Sequence, residues 1–179
     1  MAKKAKSINK LLALVGALLA IVAVVMIFLP QIVEASGDNT YNGLVLAFGK
    51  EYKTGLSGIA EASRTINFSF PNLLAYILVV AGLVINVLQF VGIGKSKLMT
   101  FIAGAALVAG GILFFFALNF STITTSGNVL GIGGSTTSKF ADFNTDNVTV
   151  YKLGYGAIVG GITAIVSGVC ALGNAVLSK

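Results

Sequence analysis

Residues 73–118 read LLAYILVVAGLVINVLQFVGIGKSKLMTFIAGAALVAGGILFFFAL: two apolar runs, Leu73 to Val91 and Leu98 to Leu118, divided by a few glycines and lysines. Each run is about the ~20 residues that a helix rising ~1.5 Å per residue needs to cross a hydrocarbon core. Gly92-Ile93-Gly94 stops the first. A link as short as Gly94 to Lys97 then forces the two runs to be antiparallel neighbours, an α-hairpin whose lysines sit at headgroup level. Working outward, Leu11 to Leu29 and Leu153 to Val176 are runs of the same kind. The six acids (Glu34, Asp38, Glu51, Glu61, Asp142, Asp146) all fall outside these four runs.

Composition points the same way. With 56% hydrophobic residues, 10% charged residues and a mean hydropathy of +0.93, the chain cannot present a solvated surface all round. Its 179 residues suffice for one bundle with its loops and leave no room for a separate soluble domain. The expectation is therefore an all-α membrane protein in one domain, 1–179. It is a four-transmembrane-helix bundle with a small extracellular β element formed by the two outer loops. The spans fall at about 11–29, 73–91, 98–118 and 153–176 and the outer loops at 30–72 and 119–152. Segments 1–10, 92–97 and 177–179 are read as cytoplasmic.

Orientation follows from lysine and arginine, which insertion retains on the cytoplasmic side. Lys3, Lys4, Lys6, Lys10, Lys95, Lys97 and Lys179 lie on one side with no acid among them. Lys50, Lys53, Arg64, Lys139 and Lys152 share the other side with all six acids. Both termini are expected in the cytoplasm and the protein in the cell membrane. The net +6 thus reports topology and attraction to anionic lipid rather than nucleic-acid binding. A cleaved signal peptide ending near Val33-Glu34-Ala35-Ser36 is the rival reading. The apolar stretch exceeds the ~7–15 residues of a signal core, so retention of the first span is expected.

No residue pattern calls for chemistry. Histidine and tryptophan are absent and Cys170 is the lone cysteine, so neither a disulfide framework nor a metal cluster is expected, and no cofactor. Gly131-Ile132-Gly133-Gly134 lacks the Gly-Lys-Ser/Thr ending of a phosphate loop and is assigned no chemistry. Sequons at Asn67, Asn119 and Asn147 are read as chance matches in loops rich in Asn, Ser and Thr. No ionisable group lies within a span, which speaks against proton-coupled transport. The neutral polar groups Asn86, Gln89, Thr163 and Ser167 read as contacts between helices, with Asn86 and Gln89 the intramembrane pair of interest.

Small residues mark the packing faces, because close backbone approach drives helix association in lipid. Gly156, Gly160, Ala164 and Gly168 recur every four residues in the fourth span. Gly16 with Ala20, Ala105 with Ala109, and Ala106 with Gly110 offer matching faces in the first and third. Packing within the monomer is expected, self-association through the fourth span being the sharper alternative.

In the outer loops, Tyr41-Asn42-Gly43-Leu44-Val45-Leu46-Ala47-Phe48-Gly49 reads as a glycine-bounded strand, with Tyr41, Asn42, Gly43 and Phe48 as candidate recognition residues. Leu56, Ile59, Ala60, Ser63 and Arg64 suggest a helical turn or two at the membrane surface. The alternation from Val148 to Lys152 suggests a strand, and Ser121 to Ser138 reads as flexible or turn-forming.

The four-span layout with its Tyr-Asn-Gly-Leu-Val-Leu-Ala-Phe-Gly segment resembles small uncharacterised four-span membrane proteins of Gram-positive-type bacteria. In outline it is similar to claudin-like tetraspan proteins. The claudin first-loop signature of tryptophan, Gly-Leu-Trp and two cysteines is echoed only by Gly43-Leu44, so the resemblance implies topology and not barrier function. The expected function is that of a structural or interaction protein, not an enzyme, presenting its outer loops to a partner or the cell envelope. A channel or transporter subunit is the alternative. Membrane lipid, and a second copy or another membrane protein, are the expected partners.

Overall fold

The computed structural model describes residues 2–56, 60–91, 93, 96–129 and 132–177. The readings placed on Gly92, Gly94, Lys95, Ile59, Gly131 and Lys179 lie outside them. In chain order, helix α1 (Ala2–Met26) leads to strands β1 (Pro30–Glu34) and β2 (Thr40–Asn42) and a short helix α2 (Gly43–Phe48). A hairpin of β3 (Lys50–Leu56) and β4 (Ala60–Ile66) precedes α3 (Phe70–Val91). Next come α4 (Lys97–Phe114), the single turn α5 (Ala117–Phe120) and a second hairpin of β5 (Thr122–Val129) and β6 (Ile132–Lys139). A 3-10 turn at Phe140–Phe143, β7 (Tyr151–Leu153) and α6 (Tyr155–Leu177) complete the chain.

The expectation of an all-α chain with a minor β element is corrected: the fold is mixed, 61% helical and 24% strand, with two antiparallel sheets. One sheet has the order β2-β1-β7 and the other β3-β4-β5-β6. Both join the two loops, through Val33↔Lys152 in the first and Ile66↔Ile123 in the second. Strand content was underestimated because neither hairpin alternates apolar and polar residues. Their pairing partners, rather than a buried face, hold them extended.

Four helices, α1 from Asn9 onward, α3, α4 and α6, are long and apolar enough to cross a membrane. Their faces are sorted by size. Leu11, Leu14, Leu18, Ile21 and Val25 of α1 point away from the bundle while Ala17, Ala20, Ala23 and Ile27 point into it. Large apolar side chains likewise line the outside of α3 (Ile77, Val80, Val84) and α6 (Ile158, Ile162, Val166). An exposed apolar surface of this extent does not suit water and suits lipid, where tight backbone approach replaces hydrophobic burial. Each helix packs antiparallel on two neighbours, in the ring α1-α3-α4-α6.

Local chemistry sets the ends. The amides of Ile27, Phe28 and Leu29 bond to the carbonyls of Val24, Val25 and Met26, each at 3.1 Å. Tight i→i−3 bonds thus finish α1 before Pro30, which has no amide to donate. At the start of α3 the Ser69 hydroxyl accepts from Asn72 N at 3.5 Å, with Pro71 in the first turn. The glycine-bounded segment expected as a strand divides: only Tyr41 and Asn42 belong to β2, and Gly43–Phe48 is helical. Asn42 decides this, since its Oδ1 accepts from Val45 N at 3.0 Å as an N-cap, and Gly49 at φ 81° closes the helix by donating to the Val45 carbonyl.

The helical turns expected near Leu56 to Arg64 are instead the paired strands β3 and β4. The flexible stretch expected from Ser121 to Ser138 is the hairpin β5–β6. The strand expected from Val148 to Lys152 is confined to β7, because Thr145 and Val148 bridge each other across a tight turn.

Candidate functional site

Two regions carry the candidate residues: the bundle interior and the end of the bundle that bears the sheets. In the interior, the α6 face lies against other backbones of the same chain. A Cβ on Gly156 would stand 2.7 to 2.9 Å from the carbonyls of Pro30, Leu29 and Met26. One on Gly160 would meet the Phe114 ring at 2.7 Å, and one on Gly168 the Gly104 carbonyl at 2.7 Å. Ala164 is fully buried beside Gly111. On α1, Ala20 is buried and Gly16 faces Asn86 and Cys170. On α4, Gly110 lies against Ala75 and Val79 of α3, and Ala106 is half-buried. Ala105 and Ala109 are exposed, and the small residues that contact neighbouring helices include Gly104 and Gly111, which do not belong to the small-residue pairs expected in this span.

Asn86 is 2% exposed, and its Nδ2 has no hydrogen-bond partner among the described residues. Ser167 beside it is paired: its hydroxyl donates to the Gly16 carbonyl at 2.6 Å, crossing from α6 to α1. Gln89 lies at the hairpin end, where its Oε1 accepts from Ser96 N at 3.1 Å and fastens the α3–α4 link. The Thr163 hydroxyl returns to the Val159 carbonyl of its own helix at 2.7 Å. Of these groups Ser167 ties α6 to α1 and Gln89 fastens the α3–α4 link, while Thr163 bonds within its own helix. Ala75, Val79, Leu107 and Phe114 fill the centre of the bundle.

At the sheet end, Tyr41, Phe140 and Tyr151 pack edge to face with Ile32, Leu46, Ile66 and Ile123 into a second core. Burial pushes the Tyr41 hydroxyl up to about 12, helped by Tyr151 and Glu34 nearby. The Tyr151 hydroxyl is raised by the same burial. Tyr41 is thus a core residue, Asn42 a helix cap, and Gly43 a close-contact point where a Cβ would stand 2.5 Å from the Ile27 carbonyl. Of the four recognition candidates only Phe48, 63% exposed, faces outward, near the exposed Phe68 and Phe70.

Several polar residues organise this end through contacts that the sequence does not announce. Asn144 accepts from the amides of Val150 and Tyr151 at 2.8 and 2.9 Å and donates to the Tyr151 carbonyl at 2.8 Å. Asn72 Nδ2 donates to the Ser121 hydroxyl at 2.8 Å, and the Ser69 hydroxyl to the Phe120 carbonyl at 2.9 Å. The Asn67 amide donates to the Thr122 and Thr124 hydroxyls. An asparagine with a turn-forming neighbour is the only local signal for such roles.

The four-stranded sheet is anchored at one end and free at the other. Ile66 and Ile123 are buried at its base, whereas Glu61, Ala62, Gly127, Asn128 and Ile132 near its tip are exposed. One face carries hydroxyls in rows, Thr65, Thr124 and Thr137 followed by Ser63, Ser126 and Ser135. The Ser63 and Ser126 hydroxyls meet at 2.6 Å, as do those of Thr124 and Thr137 at 2.7 Å. Comparison with family models, with curated proteins and with solved structures finds no match to this chain.

Proposed function

We propose that this is a non-catalytic interaction protein of the cell membrane that displays its four-stranded sheet, on the side opposite both termini, to a protein partner or the cell envelope. The observation that supports this most is the sheet itself. It is anchored at its base by a buried aromatic core, and Ala62, Gly127, Asn128 and Ile132 toward its tip are exposed. A rigid base carrying an exposed tip is what a recognition element needs. The buried apolar side chains at the bundle centre, Ala75, Val79, Leu107 and Phe114 among them, favour this reading over that of a channel or transporter subunit.

Reconstitution of the purified protein into liposomes tests it. Ion and solute flux should equal that of empty vesicles; flux above that control overturns the reading in favour of a conducting pathway. In intact cells, a Cys170→Ala variant with cysteine at position 132 should react with an impermeant maleimide. One with cysteine at position 10 should react only after permeabilisation, and the reverse pattern overturns the orientation.

A further inference from the structure

Helix α2 is apolar on every side, and one of those sides is open. Its six residues, Gly-Leu-Val-Leu-Ala-Phe, include no polar side chain, and no residue from Asn39 to Gly49 is charged. The inward side joins the two cores, Ala47 belonging to that of the bundle and Leu46 to that of the sheet end. The outward side presents Leu44 and Phe48, one helical turn apart and both exposed. A helix bathed in water turns a polar face outward, and α2 has none to turn.

Backbone contacts fix the level of α2 along the bundle. The Gly43 amide donates to the Ile27 carbonyl at 2.9 Å, just past the end of α1, and the Ser69 amide at the start of α3 donates to the Ala47 carbonyl at 3.2 Å. A Cβ on Gly49 would stand 3.2 Å from the Phe68 nitrogen. Phe48, Phe68 and Phe70, each more than half exposed, therefore come from adjoining stretches of backbone. On α3 the outward apolar stripe begins at Phe70 and runs through Leu74, Ile77 and Val84 at helical spacing. The other three spans also reach this level with an exposed aromatic: Phe28 just after α1, Phe116 just after α4 and Tyr155 at the start of α6. Aromatic rings gather where hydrocarbon gives way to headgroups.

We propose that α2 is a membrane anchor, seated in the outer leaflet with Leu44, Phe48 and the neighbouring Phe68 inserted at the border between acyl chains and headgroups. The occupant of this face is lipid rather than protein, because the face is continuous with the apolar outer surface of the spans. Lys50, exposed just beyond the Gly49 turn, stands where an ammonium meets lipid phosphate. The proposal rests on the reading of the chain as a membrane protein and goes beyond it: since α2 joins the two cores, its depth sets the height at which the sheets stand above the lipid.

Fluorescence quenching of the full chain, reconstituted in phosphatidylcholine vesicles at a high lipid-to-protein ratio, tests it. In a Cys170→Ala background, bimane is attached to Leu44→Cys or Phe48→Cys, to Val84→Cys within α3, or to Ile132→Cys near the sheet tip. Positions 44 and 48 replace exposed side chains, so each labelled protein should keep the circular dichroism spectrum. Probes there should lie about 5–10 Å into the boundary between headgroups and chains, so that nitroxide-bearing lipid quenches them while aqueous iodide does so roughly fivefold less than at position 132. Iodide quenching equal to that at position 132 overturns the anchor. So does shielding from both quenchers, which would mean that a second copy covers the helix. Position 84 tells the failures apart. Lipid quenching there without any at 44 and 48 sinks the anchor and leaves the interaction reading standing, whereas none at 84 sinks the membrane reading and the anchor with it.

Discussion

Gly104 and Gly168 meet backbone to backbone: a Cβ on Gly104 would lie 2.9 Å from the Gly168 carbonyl, and one on Gly168 would lie 2.7 Å from the Gly104 carbonyl. Seven residues along each helix, in opposite directions, Gly111 and Gly161 repeat the contact at 2.8 and 3.0 Å. These two crossings set the distance between α4 and α6. Backbone carbonyls cannot swing aside as a flexible side chain can, so a larger residue must push the helices apart. Gly168→Leu is expected to destabilise the bundle by about 1–3 kcal/mol. Ala105→Leu, on the exposed face of α4, should be neutral. Thermal melts followed by circular dichroism in detergent check the pair, and equal melting temperatures would contradict the assigned faces.

Gly43 separates a folding role from a binding one. Gly43→Ala places a methyl against the Ile27 carbonyl and the Tyr76 ring, and should cost about 1–3 kcal/mol through overpacking. Phe48→Ala, five residues on and exposed, should leave the melting temperature within about 2 °C, since surface changes fall within roughly ±0.5 kcal/mol. The opposite ranking would return Gly43 to the list of surface residues.

Asn144 holds three backbone groups around β7. Asn144→Ala leaves them without partners, at about 1–3 kcal/mol for each group that water cannot reach. The loss should be local. Hydrogen exchange at the Val150 and Tyr151 amides should quicken by at least tenfold while amides within α3 and α4 are unchanged; uniform acceleration would point to global destabilisation instead.

The Tyr41 hydroxyl, pushed up to about 12 chiefly by burial, links stability to alkaline pH. An unfolded tyrosine ionises near pH ~10, so the folded state holds this proton the more tightly. The contribution is intact below about pH 10 and is lost as the pH rises through about 12. The melting temperature should therefore fall across that window, and Tyr41→Phe, which keeps the ring packing, should flatten the fall. An unchanged profile in the phenylalanine variant would remove Tyr41 as its source.

The helical part of the fold was legible because lipid imposes a length and a composition that the four apolar runs announce directly. The sheets were not. Thr122 to Lys139 has no apolar period, and the strand order is set by pairings such as Ile66↔Ile123 between residues far apart in sequence. The run Gly43–Phe48 is apolar enough for either state, and a single side chain, Asn42, tips it to helix. The packing face of α6 could be picked out by its four-residue spacing. Its partners Gly104 and Gly111 are spaced by seven and are masked by the alanines around them. Tyr41 and Gly43 are distinctive loop residues, but Tyr41 serves the second core and Gly43 lets the loop close on Ile27 and Tyr76 of the bundle core.

Strands contributed by both loops impose an order on assembly. When a growing chain has emerged only as far as Val91, β3 and β4 form an isolated hairpin, marginal by itself, and β1 lacks its β7 neighbour. The first sheet cannot close until residues 151–153 arrive, nor the second until Thr122 and the residues after it have been synthesised. Maturation of the sheet-bearing end is thus one late event, completed from the C-terminal half, and until then the nascent protein exposes strand edges to any chaperone or neighbour that meets it.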